Sequence, residues 1–319
     1  MIADLFYIVL FLTAFGSIAW IFIILAQHVL RIKINFYLCS LIMLFYVVPF
    51  FSPQFRLITE NPNWVETYLI ASKVWAIGFC LAAVYLVLRN VYAYFAVQKY
   101  TLCKDESVIQ TLQNCAKHLS VKQLPEVLYG DLKEPACVLN IGRPKIILSK
   151  HIIDQLATSE LIVILTHELI HIKRGHLILQ KFFDFIVCIH WFNPLAWAAR
   201  HEFSISCEMD CDQTVFKSMP LLLASDYANL MLKMLKLSLP SKHYTANAIG
   251  TLDFMLAKQR FQSILSPVSA IKKCCSLILS FILIITIISF SLLSSRSYFY
   301  PSSAGDNGNT QIERGVGYE

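Results

Sequence analysis

The run from Leu5 to Ala26 carries no charged residue and is long enough to cross the hydrocarbon core of a bilayer as one helix. It has no basic stretch before it and no small-residue cleavage site after it, so it is expected to be a retained span rather than a signal peptide. Three more stretches have the same character: Phe36 to Phe51, short and with Pro49 near its outer end; Tyr68 to Leu88; and Cys274 to Leu293. Lys73 lies one turn inside the third, where its stem can carry the ammonium out to the surface. Charged residues make up only 15% of the chain and mean hydropathy is +0.57, which is membrane-protein composition. At 319 residues there is room for these spans and one globular domain of ordinary size.

Basic residues set the expected orientation. Arg31 and Lys33 follow the first span, Arg89 and Lys99 the third, and Lys272 and Lys273 precede the fourth. Lys and Arg gather on the cytoplasmic side, so both termini are expected outside and the long middle segment inside. The layout is three spans over 1–96, a cytoplasmic domain over 97–273, a span over 274–293, and a polar, disordered external tail over 294–319. The net charge of +6 comes without a dense basic run, which argues against direct nucleic-acid binding. Ten cysteines are scattered with no CxxC pair, as expected of reduced thiols rather than a disulfide framework.

Within the domain, Ser107 to Leu119 has the pattern of a helix. Short apolar pieces follow at Glu126 to Gly130, Ala136 to Asn140 and Lys145 to Leu148, punctuated by Pro135, Gly142 and Pro144, and predict a small sheet. Thr158 to Gly175 is the domain's strongest helix signal: polar start, Glu160 in the first turn, apolar residues at helical spacing, and a glycine stop. In its middle stands HELIH. His167 and His171 are four apart and project from one face, so two ring nitrogens can hold one zinc ion, while Glu168 can act as base on a water beside it. Two histidines and a glutamate are costly to bury on an apolar helix unless something satisfies them.

Leu177 to Ala199 is apolar but interrupted by Lys181, Asp184, His190, Asn193 and Pro194. It is expected as a buried or interfacial helix bending at Asn193-Pro194, with Trp191 and Trp197 near the headgroups. Arg200 to Ser218 should be the next helix. Its Glu208 and Asp212, four apart, suit a metal-binding carboxylate with a supporting one behind it, or equally two solvated surface carboxylates. Glu202 and His201 are rival ligands, while Cys207 and Cys211 fit core packing better than metal binding. His176 and His190 lack helical spacing to the HELIH face and are expected to be structural. Ser225 to Leu239 is a further helix, and the polar loop 240–251 a candidate for self-cleavage.

Taken together, HELIHIKR, then His190-Trp191-Phe192-Asn193-Pro194, then Glu208-Met209-Asp210-Cys211-Asp212, with three spans before and one after, resemble the BlaR/MecR-type membrane zinc metallopeptidases. The resemblance implies a mainly α membrane protein with four transmembrane helices. A cytoplasmic α+β gluzincin-like metallopeptidase domain would lie between the third and fourth. It further implies Zn²⁺ on His167, His171 and Glu208, with Glu168 as general base and Asp212 supporting the site from behind. The expected setting is a bacterial cell membrane. The expected partners are the bilayer, a protein substrate such as a BlaI/MecI-type repressor or the chain itself, and, as an option, a second copy in a homodimer. The family's external penicillin-binding domain is not expected, since the only SxxK (Ser269 to Lys272) lies on the inner side of the last span. Competing readings are a zinc-stabilised non-catalytic transducer or scaffold, against which Glu168 argues, and an HtpX-like quality-control protease, which lacks the HWFNP stretch. The near absence of ionisable groups in the spans disfavours a transporter.

Overall fold

The computed structural model describes residues 2–30, 36–47, 62–132, 134–139, 142–238, 260–262 and 278. The described chain is mostly helical. Helix α1 runs over Ile2–Leu30, α2 over Phe36–Leu44 and α3 over Pro62–Val97. Two segments, Ile2–Leu25 and Val65–Val97, are long and apolar enough to cross a membrane. The α3 helix starts earlier and ends later than the Tyr68 to Leu88 segment expected from hydropathy. At 1.5 Å per residue its 36 residues extend about 54 Å, well beyond a hydrocarbon core of about 30 Å. Of the second expected span, Phe36–Leu44 is helical and a turn follows to Val47, while 48–51 lie outside the described residues. The fourth span, the tail and the 240–251 loop lie outside the described residues, apart from Ile278.

A sheet in the order β1-β2-β4-β3 lies beyond α3, formed by β1 (Thr101–Leu102), β2 (Glu126–Gly130), β3 (Ala136–Leu139) and β4 (Lys145–Ser149). Strands β2 and β4 are parallel, while β1 and β3 pair antiparallel at the two edges. Ile146, Ile147 and Leu148 of β4 are fully buried, as a central strand covered on both faces requires. Helix α4 (Glu106–His118) is capped by Asp105, which accepts from the Ser107 amide at 2.9 Å. It buries Val108, Leu112, Cys115 and Ala116 along one stripe. After the short α5 (Lys150–Ile153) comes α6 (Thr158–Arg174). Ala157 stands at its cap position; Glu160 accepts from the Ala157 amide at 2.8 Å and from Lys233 at 2.6 Å. Gly175, at φ 68°, ends the helix in the left-handed conformation that glycine adopts without strain.

The next two helices join the domain to the apolar helices. Helix α7 (His176–Ile189) and α8 (Pro194–Ser218) are separated at His190 to Asn193, with Asn193 capping α8 and Pro194 opening it. Helix α8 therefore begins at Pro194, earlier than the expected Arg200. Phe183, Ile186, Val187, Ala196, Ala199 and Phe203 share one core with Trp20 and Ile23 of α1 and Leu38, Ile42 and Met43 of α2. The hairpin tip fits about half way along α1. His190 stands 2.7 Å from the Thr13 hydroxyl and 2.9 Å from the Tyr46 carbonyl, and Asn193 donates to Ser17 at 3.0 Å. The Trp75 indole donates to the Ile189 carbonyl at 3.0 Å. Trp191 packs so closely on α3 that a Cβ at Gly78 would meet its ring at 2.3 Å. One to two turns down α7, Lys181 and Asp184 meet Asn90, Arg89 and Arg200, a charged belt roughly 8–12 Å from the tip by helical rise. Helix α9 (Ala224–Ser238) closes the domain core through Tyr227, Leu230 and Met231.

Candidate metal centre

Helices α6 and α8 cross where HELIH meets Glu208. The Nε2 atoms of His167 and His171 stand 3.2 Å apart. Glu208 faces both, with Oε2 3.4 Å from His167 Nε2 and Oε1 3.4 Å from His171 Nε2. Zinc binds nitrogen and oxygen at about 2.0–2.1 Å, so two corners of its tetrahedron lie roughly 3.3–3.4 Å apart. The two imidazole nitrogens already stand near that spacing, and each has one oxygen of the Glu208 carboxylate at a similar distance, which would leave a fourth position open. His167, His171 and Cys211 also come within 4.8 Å of one another and form a second donor set that could hold a metal. Cys211, however, is buried, its thiol pushed well above its usual value by desolvation, and its Sγ lies 3.5 Å from His176 Nδ1, beyond His171. Glu208 alone faces both metal-facing nitrogens. Glu202 and His201 are not among the groups that meet the two imidazoles in the described residues.

Each group behind the triangle has its own partner. Asp212, wholly buried, places Oδ1 3.3 Å from His167 Nδ1. It is held by Arg260, whose Nε and Nη2 each donate at 2.8 Å, and by the Tyr227 hydroxyl. Arg260 Nη1 also reaches Glu208 Oε2 at 3.3 Å. Behind His171 stands His176, Nδ1 to Nδ1 at 3.1 Å. Thus His176 belongs to the cluster rather than to the general core, whereas His190 is at the distant hairpin tip. Arg260 and Tyr227 were not legible as site residues. Arg260 is 48 positions from Asp212 with no motif around it, and only the general need of a buried carboxylate for a cation pointed to such a partner.

These contacts set the charges. Burial disfavours an ionised Glu208, yet His167 and Arg260 outweigh it and hold the carboxyl down at about 2. Burial is likewise overcome at Asp212, where Arg260 keeps the carboxyl below its usual range. Burial would discharge His167, but Asp212 and Glu208 raise it to about 10. Burial and the neighbouring positive His167 push His171 down to about 3. Glu168 is also buried, and desolvation lifts its carboxyl to about 7. A carboxylate near 7 is suited to taking and returning a proton at neutral pH.

A sequence model of the BlaR1 peptidase M56 family matches residues 52–264. The chain is 22% identical over 210 residues to regulatory protein BlaR1 of Bacillus licheniformis, covering 62% of this chain and 34% of that protein. It is 24% identical over 162 residues to the methicillin resistance mecR1 proteins of Staphylococcus aureus and Staphylococcus epidermidis, covering 49% of this chain and 27% of those. It thus spans about a third or less of the length of these curated relatives. The family match takes in HELIH, the hairpin tip, Glu208, Asp212 and Arg260. On this evidence, the chain belongs to the BlaR1 peptidase M56 family.

Proposed function

We propose that this protein is a membrane-embedded zinc endopeptidase that relays a signal by cleaving itself or a soluble transcriptional repressor. The observation that carries the reading is the grouping of His167, His171 and Glu208, with 3.2 Å between the two Nε2 atoms and one carboxylate oxygen 3.4 Å from each. Zinc in that triangle would supply a Lewis acid and lower the pKa of a bound water towards about 7. His167 and His171 would hold it through Nε2 and Glu208 would contribute the single negative charge, while Asp212, 3.3 Å from His167 Nδ1, orients that ring. Glu168 accepts a proton from the attacking water and hands it to the leaving amine, a role that its burial prepares. A structural zinc site has no use for such a base.

Strand β3 supports the choice of an extended peptide as substrate. Among the described residues it is an edge strand beside α6 paired only with β4, so its outer side can accept a peptide as a further strand. The proposed arrangement keeps residues 97–273 in the cytoplasm, four spans in all and both termini outside. A repressor of the BlaI/MecI type is the soluble substrate that this location and the resemblance to the BlaR/MecR-type peptidases suggest.

The test compares wild type with Glu168→Ala in membranes, following new protein termini by mass spectrometry. Fragments of this chain or of a cytoplasmic protein should appear only with wild type. Glu168→Ala should keep its zinc, while His171→Ala loses both metal and cleavage. Undiminished cleavage by Glu168→Ala would remove the mechanism.

A further inference from the structure

Each metal-facing histidine has a second ring nitrogen turned away from the triangle. For His167 that nitrogen meets Asp212. For His171 it meets another histidine, His176, which is wholly buried at the start of α7. The other nitrogen of His176, Nε2, lies 3.6 Å from Asp210 Oδ2. Both are buried atoms with no hydrogen-bond partner among the described residues, and each is turned toward the other. Arg174 Nε lies 3.3 Å from the same carboxylate oxygen and pairs with its charge. Phe36 of α2 packs on the His176 ring at 4.8 Å and fixes its plane.

We infer that His176, backed by Asp210, is a positioning residue that sets which nitrogen of His171 is free to bind metal. The inference rests on the zinc reading of the site. A neutral imidazole carries one N–H, and two facing Nδ1 atoms 3.1 Å apart need one donor and one acceptor. With its proton on Nε2, next to the Asp210 carboxylate, His176 offers Nδ1 as an acceptor. His171 must then carry its proton on Nδ1, which leaves its Nε2 lone pair facing Glu208 and His167. The opposite arrangement, with the proton on His176 Nδ1, drives the His171 proton onto Nε2 and blocks the metal position. The Asp210 charge favours the first arrangement. Helix α7 thus takes part in the site through its first residue, although it contributes no ligand.

The experiment measures zinc affinity by chelator competition on the purified full chain in detergent, for wild type, His176→Leu, His176→Asn and Asp210→Asn. An asparagine Oδ1 occupies nearly the place of Nδ1 and can only accept. His176→Leu should weaken zinc binding about 10- to 100-fold, the usual effect of losing a ligand's outer partner, and His176→Asn should restore most of it. Asp210→Asn leaves the ring packed, so its weaker binding would report the charge and not the fold. Nitrogen NMR of the labelled, zinc-free protein should place the His171 proton on Nδ1 in wild type and distribute it over both nitrogens in His176→Leu. Unchanged affinity in His176→Leu, or equal losses in the Leu and Asn variants, overturns the inference. A wild type that binds no zinc overturns the metal centre itself, and the control His171→Ala separates that failure from this one.

Discussion

At the scale of single residues, the metal triangle is assembled from groups whose charges are fixed by what lies behind them. In zinc-free protein His167 stays protonated up to about pH 10, while Glu208 is ionised down to about pH 2. Zinc takes the neutral imidazole, so binding must expel a proton below pH 10. Metal affinity should therefore fall at least tenfold per unit as pH drops from 10 towards 7. Calorimetry at pH 8 in buffers of different ionisation heat should show at least one proton released per zinc, the His167 proton plus that of the zinc-bound water. Arg260 gives a second prediction. Replacing it with Met leaves Asp212 buried without its cation, which should cost about 3–5 kcal/mol in denaturant unfolding. Arg260→Lys keeps the charge but not the two-pronged contact, and should recover only part of that loss.

At the scale of elements, α6 carries the two proposed histidine ligands and α8 the proposed third, and the α7–α8 hairpin ties that pair to the apolar helices. The tip is satisfied by side chains of α1 and α3 and by the Tyr46 carbonyl in the turn after α2, as a break in helical backbone among apolar helices demands. Gly78 is the narrowest point. Gly78→Val forces Trp191 out of its seat and should destabilise the protein by about 1–3 kcal/mol in thermal unfolding, the usual cost of overpacking. Gly142→Val has no atom within 4 Å to meet and should stay within about 0.5 kcal/mol of wild type. Sequence placed β2, β3, β4 and α6 within a residue or so, because turn residues and glycine stops punctuate them. It missed β1, two residues long and defined only by pairing with β2. It also placed the start of α8 at Arg200, because the apolar stretch before it carried no helix signal separate from that of α7.

At the scale of the whole molecule, the exposed face of α3, with Ile77, Leu81, Val84, Tyr85 and Leu88 in the open, is far more apolar than water tolerates. A bilayer around α1 and α3 removes that cost. The proposed topology puts the sheet and the metal centre on the cytoplasmic side. A cysteine placed at exposed Lys122, in a background without other accessible thiols, should resist a membrane-impermeant maleimide in intact cells and react after permeabilisation. Labelling from outside would invert the orientation and exclude a cytoplasmic repressor as substrate.

Apolar length alone placed the two long helices α1 and α3, periodicity the helical HELIH face, and a spacing of four residues set Glu208 and Asp212 one turn apart on α8, since each follows from a pattern within a single segment. The tertiary structure alone decided that Glu208, rather than Glu202, His201 or Cys211, faces both imidazoles. It also revealed that Arg260 and Tyr227 hold Asp212, that His176 stands behind His171, and that the hairpin inserts among α1, α2 and α3. Those relations depend on the angle and register at which distant segments cross. No local pattern encodes that crossing, because it is selected by the packing of several apolar surfaces at once.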